Sequence, residues 1–294
     1  MRRAELHCHV DGVLDTALAA ELGFDVELPV VRSLADWELY GARVSQLADR
    51  VRWLPRVLER HVGRLREQRV RYAELFISGI LFAHDDDAAL VDYVAELRAL
   101  ATAAAGPELA IEFVICVGRG TPERLARQVP RIAALRRAGL VCGVAFAGDE
   151  RHPMRPLSRG VDELRALGLG IEIHAGELAG ADSVRDALDY GSPDRIGHGL
   201  AAFGDPALLD AIATRGIHLE LCPSSNLALG AVARLDAHPI GRAHAMGLPF
   251  SINTDDPGAF GCSLAGELAA VAEMFSLDLD AIFEATMRAA FRGR

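Results

Sequence analysis

An eight-stranded parallel barrel, the (β/α)8 TIM barrel, is the fold class that this 294-residue sequence predicts. Three observations lead to it: eight short β-rich segments, helix-like segments between them, and near-continuous apolar runs such as residues 111–117. Continuous apolar runs are typical of strands covered on both faces, and alternation with helices is typical of a parallel sheet. A doubly wound open sheet shares this alternation, but no GxGxxG motif follows the first strand, and a count of eight strands favours closure.

The connecting segments carry helix signals. Apolar residues three and four apart predict helices over 85–105 and 122–138. Thr121-Pro122 and Asp205-Pro206 each combine a capping residue with a proline suited to the first helical position. The eight strands are predicted at residues 4–10, 70–78, 109–117, 141–147, 170–174, 195–198, 217–222 and 249–254.

Two connections depart from an even spacing. The first, from Asp11 to Arg69, has room for two or three extra helices, including an amphipathic one over 42–67. After the last strand, residues 263–275 and 278–291 predict a closing helix pair. No repeat or low-complexity linker divides the chain, so we expect one domain over residues 1–294.

The composition excludes several classes of protein. A formal net charge of −10 argues against nucleic acid and anionic membranes as partners. With 51% hydrophobic and 24% charged residues, the chain has the balance of a globular protein. The N-terminus lacks the apolar region of a signal peptide, and no segment is apolar enough to span a bilayer. We therefore expect a soluble, cytoplasmic protein with a small-molecule partner; the oligomeric state is open.

Cysteine and lysine usage narrows the chemistry. The five cysteines are odd in number and scattered without CxxC spacing, which predicts reduced thiols rather than disulfides. Lysine is absent from the chain. Its absence excludes a lysine Schiff base, a P-loop lysine and a metal pair bridged by a modified lysine.

Titratable residues gather where the predicted strands end, the place where barrel enzymes build their sites. His7 and His9 flank Cys8 on the first strand and point to one face, because strand side chains alternate. The other strands contribute His174 and Glu177, His198, and the pair Asp255-Asp256. Each has a structural explanation on its own, but their convergence predicts metal-assisted hydrolysis. Three imidazoles and a carboxylate suit a single Zn²⁺, and would accept Co²⁺ or Fe²⁺.

Six motifs resemble those of the adenosine deaminases, a family of the metal-dependent amidohydrolase superfamily. They occur in the family's order and span the chain from residue 5 to about residue 260. They are Glu5-Leu6-His7-Cys8-His9-Val10-Asp11-Gly12, Ala147-Gly148-Asp149-Glu150, His174-Ala175-Gly176-Glu177, Arg195-Ile196-Gly197-His198-Gly199, Leu221-Cys222-Pro223-Ser224-Ser225-Asn226 and Ser251-Ile252-Asn253-Thr254-Asp255-Asp256-Pro257.

The resemblance implies a role for each matching residue. His7, His9, His174 and Asp255 correspond to the ligands of one zinc ion per chain. Glu177 corresponds to the acid that protonates a purine ring nitrogen, while His198 and Asp255 orient the attacking water and accept its proton. The substrate contacts correspond to Asp256 at the five-membered ring, Gly148 at the six-membered ring, Asp11 at a ribose hydroxyl, and His9.

The chain also departs from the family pattern. Ala145 stands where the family's Gly-x-Asp-Leu places a carboxylate near the metal, and Phe76 stands where relatives carry an arginine. The segment after the first strand, which roofs the pocket in the family, is short. These differences concern the substrate and the metal's surroundings more than the reaction.

These residues are compatible with three functions: a deaminase, another metal-dependent hydrolase and an inactive binding relative. The resemblance favours hydrolytic deamination of adenosine or a related 6-aminopurine nucleoside, with Asp11 pointing to the nucleoside unless it only caps a turn. Adenine or an aminofutalosine-type nucleoside is the alternative substrate. A hydrolase of amides or phosphoesters would usually need a bridging lysine or glutamate, and an inactive binding relative would be expected to have lost a ligand or the acid.

Overall fold

The computed structural model describes residues 2–47 and 50–292, and its eight parallel strands pair in chain order from β1 to β8. The first and last strands meet through a bridge between Cys8 and Asp255, where the Asp255 N–H donates to the His7 carbonyl at 3.0 Å. The sheet therefore curls into a barrel, and the predicted fold class is confirmed. The strands are β1 Arg3–His9, β2 Val70–Ser78, β3 Ala110–Gly118, β4 Gly143–Ala147, β5 Gly170–Ala175, β6 Arg195–His198, β7 His218–Leu221 and β8 Phe250–Ile252.

Helices follow the strands and cover the outside of the barrel, and the predicted caps form. Thr121 Oγ1 accepts from the Arg124 N–H at 3.3 Å, and an Asp205 carboxylate oxygen accepts from the Ala207 N–H at 3.0 Å. The helices in the described part of the chain are α1 Thr16–Glu21, α2 Leu34–Gln46, α3 Arg50–Glu67, α4 Asp87–Ala105, α5 Pro122–Arg137, α6 Ser158–Ala166, α7 Ala181–Asp186, α8 Pro206–Arg215, α9 Pro223–Ala228, α10 Ile240–Ala245, α11 Pro257–Phe260, α12 Leu264–Phe275 and α13 Leu279–Ala289.

The predicted helix over 42–67 is wrong in its extent. It is two helices, α2 and α3, because the backbone of Leu47 at the end of α2 is extended. The first of the two begins earlier than expected, since the Ser33 hydroxyl caps it by accepting from the Asp36 N–H at 3.2 Å. The start of α2 is therefore set by the Ser33 cap rather than by the apolar pattern.

The floor of the barrel is formed by the C-terminal segment. The predicted helix over 278–291 ends at Ala289, and Phe291 turns inward and is fully buried. Its ring lies 3.5 Å from the Arg195 guanidinium carbon, and its N–H donates to Glu74 at 2.5 Å. Gly143 and Gly170, at the starts of β4 and β5, make room for the ring: a Cβ on either would lie within 2.4 Å of it.

We expect Phe291→Ala to lower the free energy of unfolding by about 3–5 kcal/mol, since it leaves a cavity beneath the barrel and removes the ring from Arg195. Chemical denaturation followed by circular dichroism measures the change. Phe82→Ala is the matched control, because the Phe82 side chain is 54% exposed and its loss should cost far less. Equal effects of the two substitutions would contradict the assignment of Phe291 as a packed floor.

In the described part of the chain, no helix has both the length and the apolar character needed to cross a bilayer.

Candidate active site

Four side-chain donors from three parts of the barrel converge at the ends of the strands. His7 and His9 belong to β1, His174 to β5, and Asp255 follows β8. Asp255 Oδ1 lies 3.3 Å from His7 Nε2 and 3.5 Å from His9 Nε2. His9 Nε2 lies 3.2 Å from His174 Nε2. The strand alternation inferred from the sequence thus places both histidines of the first strand on the inner face.

The spacing of these donors fits a divalent metal. A tetrahedral zinc with metal–nitrogen distances of about 2.0–2.1 Å separates its ligand atoms by about 3.3 Å, close to the 3.2–3.5 Å between these atoms. His7 Nε2 is buried and faces Asp255 Oδ1 at 3.3 Å, as expected of two atoms that could share a metal. One donor atom each from His7, His174, His198 and Asp255 lies within 4.8 Å of the others, whereas His9 forms such a group with Asp255 and Asp256.

Two buried glutamates hold the far side of the imidazoles. Glu220 on β7 lies 2.8 Å from His7 Nδ1, and Glu172 on β5 lies 3.0 Å from His174 Nδ1. An Nδ1–H that donates to a carboxylate leaves the Nε2 lone pair free and directed at the centre. Sequence reasoning missed both glutamates, although Glu172 is two residues before His174 and strand alternation places it on the same face.

In contrast to His7 and His174, His198 has its ring proton on Nε2, the nitrogen other than the one that contacts Asn226. The Asn226 amide donates to His198 Nδ1 at 3.1 Å, and the Asn226 carbonyl oxygen lies 3.2 Å from His238 Nε2, which fixes the direction of that amide. Because Nδ1 accepts, the proton of neutral His198 is on Nε2, so this ring can donate toward the centre but cannot coordinate there. His198 also has a backbone φ of 65°, a left-handed conformation that is costly outside glycine.

Glu177 is held beside this histidine by two networks. Its Oε1 accepts from the Asn226 amide at 3.1 Å and lies 3.6 Å from His198 Nδ1. The turn that carries it is fixed by Glu150, whose carboxylate accepts from the N–H groups of Gly176, Glu177 and Ala179 at 3.0–3.1 Å. Burial, aided by the negative charges of Asp255 and Glu150, raises the pKa of Glu177 to about 8. The raised pKa that an acid at this position requires is therefore present.

The pKa values of the two adjacent aspartates are shifted in opposite directions. Burial works against ionisation of Asp255, but hydrogen bonding to His7 and the charges of the histidines outweigh it and hold the pKa of Asp255 well below its usual range. Burial and the charges of Asp255 and Asp11 raise the pKa of Asp256 well above its usual range. Asp256 fits against Gly12, where a Cβ would come within 1.7 Å of its carboxylate. Ionisation is thus favoured at Asp255 and disfavoured at Asp256.

These groups face one cavity of about 1010 Å³. Asp11 and Gly148, the remaining predicted site residues, line its wall together with Trp37 and Phe82. Asp11 Oδ2 lies 3.3 Å from Arg50, while its Oδ1 is buried without a hydrogen-bond partner. Every predicted site residue except the fully buried His7 therefore lines this cavity. Glu150 lines it as well, and Glu172, Glu220 and Asn226 contact site residues.

A parallel barrel with imidazoles, carboxylates and a raised-pKa acid around one strand-end cavity defines an enzyme of the hydrolase class. The family model for adenosine deaminase matches residues 39–292, and the chain belongs to that family of the amidohydrolase superfamily. The expectation from the motifs, that the chain is a hydrolase of a cyclic amidine C–N bond, is confirmed.

Individual relatives agree with this membership. An adenine deaminase of Chelativorans sp. (strain BNC1) is 37% identical, and the alignment covers 98% of this chain and 93% of that protein. The crystal structure of adenine deaminase from Arthrobacter aurescens shares 23% identity and the fold, with a TM-score of 0.82 over 99% of this chain and 94% of that one. An amidohydrolase from Burkholderia ambifaria with bound zinc shares 22% identity and a TM-score of 0.72, over 99% of this chain and 86% of that one.

Proposed function

We propose that the protein hydrolyses the amino group of a 6-aminopurine at a single zinc centre, releasing ammonia and the 6-oxopurine. One observation carries the proposal: Glu177, a carboxyl group with a raised pKa, lines the same cavity as His9, His174 and Asp255, and His7 Nε2 lies 3.3 Å from Asp255 Oδ1. The donor set and the zinc bound by the Burkholderia ambifaria amidohydrolase both support this choice of metal. Without a lysine to bridge two ions, one metal per chain is the simpler arrangement.

His7, His9, His174 and Asp255 would hold the ion. The proton on His198 Nε2 supports this assignment over one in which His198 replaces His9. A bound divalent metal supplies a water of lowered pKa as the nucleophile.

The chain's own residues then move the protons. Glu177, neutral below a pKa of about 8, donates its proton to the ring nitrogen beside the amino-bearing carbon, which makes that carbon electrophilic. Asp255 accepts the proton that water loses on attack, and the Nε2–H of His198 orients the attacking oxygen. Asp255 then passes that proton to the amino group, the C–N bond breaks with release of ammonia, and the hydroxyl proton returns to Glu177 as the 6-oxo group forms.

Two further groups would align the purine ring. Neutral Asp256 donates to a nitrogen of the five-membered ring, which its raised pKa permits. The Gly148 N–H, in a backbone with φ of 95°, has no hydrogen bond to another described residue and is free to donate to the six-membered ring. His9, beside the metal, also lines the substrate cavity.

Adenine is the first candidate substrate and a purine nucleoside the second. The Chelativorans relative is named an adenine deaminase, which supports the free base. A specific observation favours the nucleoside: the cavity of about 1010 Å³ is far larger than a purine base, and Asp11 lies on its wall. A comparison of adenine with adenosine as substrates distinguishes the nucleoside expected from the sequence from its adenine alternative.

Ammonia release from adenine and from adenosine by the zinc-loaded protein tests the proposal directly. We expect release from one or both, with equal amounts of the 6-oxo product by chromatography. A protein that binds zinc and releases ammonia from neither compound, nor from other 6-aminopurine nucleosides, would contradict the proposed reaction.

Asp11→Ala is expected to lower kcat/KM for adenosine about 10- to 100-fold, the worth of a hydrogen bond to a charged group, and to leave kcat/KM for adenine unchanged. Arg50→Gln is the control, because it removes the ion pair with Asp11 while keeping the carboxylate. Equal losses for both substrates, reproduced by Arg50→Gln, would show that Asp11 serves only the ion pair.

A further inference from the structure

The barrel interior beneath the proposed metal site contains a carboxylate where the family pattern does not lead one to expect it. Ala145 on β4 lacks the carboxylate of the family motif, and its methyl group is buried against Phe76, Val114 and Phe291. On the neighbouring strand β5, its register partner is Glu172, which is fully buried. The carboxylate absent from one strand is thus present on the next, in the same layer of the barrel.

Glu172 is aimed at His174. Its Oε1 lies 3.0 Å and its Oε2 3.2 Å from His174 Nδ1. On the neighbouring strand β6, Gly197 leaves the space for this contact, since a Cβ there would lie 2.4 Å from Glu172 Oε1 and 3.2 Å from His174 Nδ1. The Glu172–His174 contact therefore depends on a residue without a side chain at position 197.

Glu172 also lies near His7 and Glu220, but the nearby guanidinium forms its ion pairs with other carboxylates. Arg195, in register with Glu172 on β6, pairs with Glu220 at 2.6 Å and with Glu74 at 2.7 Å. Removing the Glu172 carboxylate would leave both of these ion pairs in place. His174 would lose its hydrogen bond, because its Nδ1–H would have no other acceptor among the described residues.

We propose that Glu172 is a positioning residue that supplies, from β5, the carboxylate missing at Ala145, and that it fixes the His174 imidazole with Nε2 toward the metal. Acceptance of the Nδ1–H selects the tautomer and the ring orientation that coordination needs. Gly197 is the second half of this arrangement, because it admits the carboxylate. This inference rests on the metal site proposed above.

The test is the zinc dissociation constant, measured by competition with a chromogenic chelator. We expect Glu172→Met to weaken zinc binding about 10- to 100-fold, the usual cost of losing such an outer partner. Glu172→Gln should lose less, because its amide oxygen still accepts from Nδ1–H. Glu267→Gln is the matched control: Glu267 is also buried but accepts from the Ser224 N–H, and zinc affinity should not change.

Two further variants examine the geometry. Gly197→Ala should weaken zinc binding, since its methyl group would lie 2.4 Å from Glu172 Oε1 and 3.0 Å from His7 Cε1, and a loss larger than that of Glu172→Met would show that it also displaces His7. Adding Ala145→Asp to Glu172→Met should recover part of the affinity by returning a carboxylate to the layer. No recovery would overturn the claim that Glu172 replaces the group missing at Ala145.

The outcomes distinguish a wrong metal site from a wrong role for Glu172. Failure of the unmodified protein to bind zinc would refute the proposed metal site itself. Tight zinc binding by the unmodified protein and unchanged binding by Glu172→Met would refute only the inference about Glu172. Thermal unfolding and the visible spectrum of the cobalt-loaded variants distinguish an altered coordination sphere from a general loss of folding.

Discussion

Glu177→Gln is expected to lower kcat by about 10²- to 10⁴-fold, the usual contribution of a positioned general acid. Glutamine preserves the size of the side chain and its contact with the Asn226 amide through the carbonyl oxygen. It cannot deliver a proton to the ring nitrogen. The zinc content should remain at one per chain, because Glu177 is not among the converging donors.

Glu38→Gln controls for a change of charge in the cavity, since Glu38 lines the same cavity but is exposed at its mouth. Steady-state rates of ammonia release, with zinc measured by atomic absorption on the same samples, make the comparison. A near-normal kcat in Glu177→Gln would remove Glu177 from the role of acid. Equal losses in both variants would point to electrostatics of the cavity instead.

The metal donors and the acid could be located from the sequence because they belong to short motifs at the ends of strands. Alternation along β1 places His7 and His9 on one face, and parallel strands of a barrel end at one rim. The structure adds what these local rules could not supply. The contact of Phe291 with Arg195 and that of Glu220 with His7 join residues far apart in the chain.

Helix boundaries show the same limit. Periodicity found the amphipathic face of residues 42–67 but not the break at Leu47, which depends on where α2 begins and ends. Likewise the apolar pattern carried α13 two residues too far, because the buried ring of Phe291 continues the pattern while leaving the helix for the barrel floor. In the second case the apolar residue is buried as expected, but by a segment that has left the helix.

His174→Ala is expected to weaken zinc binding by more than the roughly 10- to 100-fold loss that an outer carboxylate causes, so that dialysed protein retains far less than one zinc per chain. The substitution removes a donor atom that lies 3.2 Å from His9 Nε2 in the converging group. It also leaves Glu172 without its partner in the interior of the barrel. Activity should fall with the metal and recover at most partly in excess zinc.

His152→Ala is the matched control, because His152 lies at the same end of the barrel but has a side chain that is 59% exposed and is not among the converging donors. Its zinc content and rate should match those of the unmodified protein. Full zinc content in His174→Ala would remove His174 from the set of ligands and would direct attention to His198 as the third imidazole. Coordination by His198 Nε2 would require its proton to be on Nδ1, and therefore the Asn226 amide to be reversed so that its oxygen accepts from Nδ1–H. In that case Asn226→Asp, whose carboxylate can accept the same proton, should keep the metal site intact.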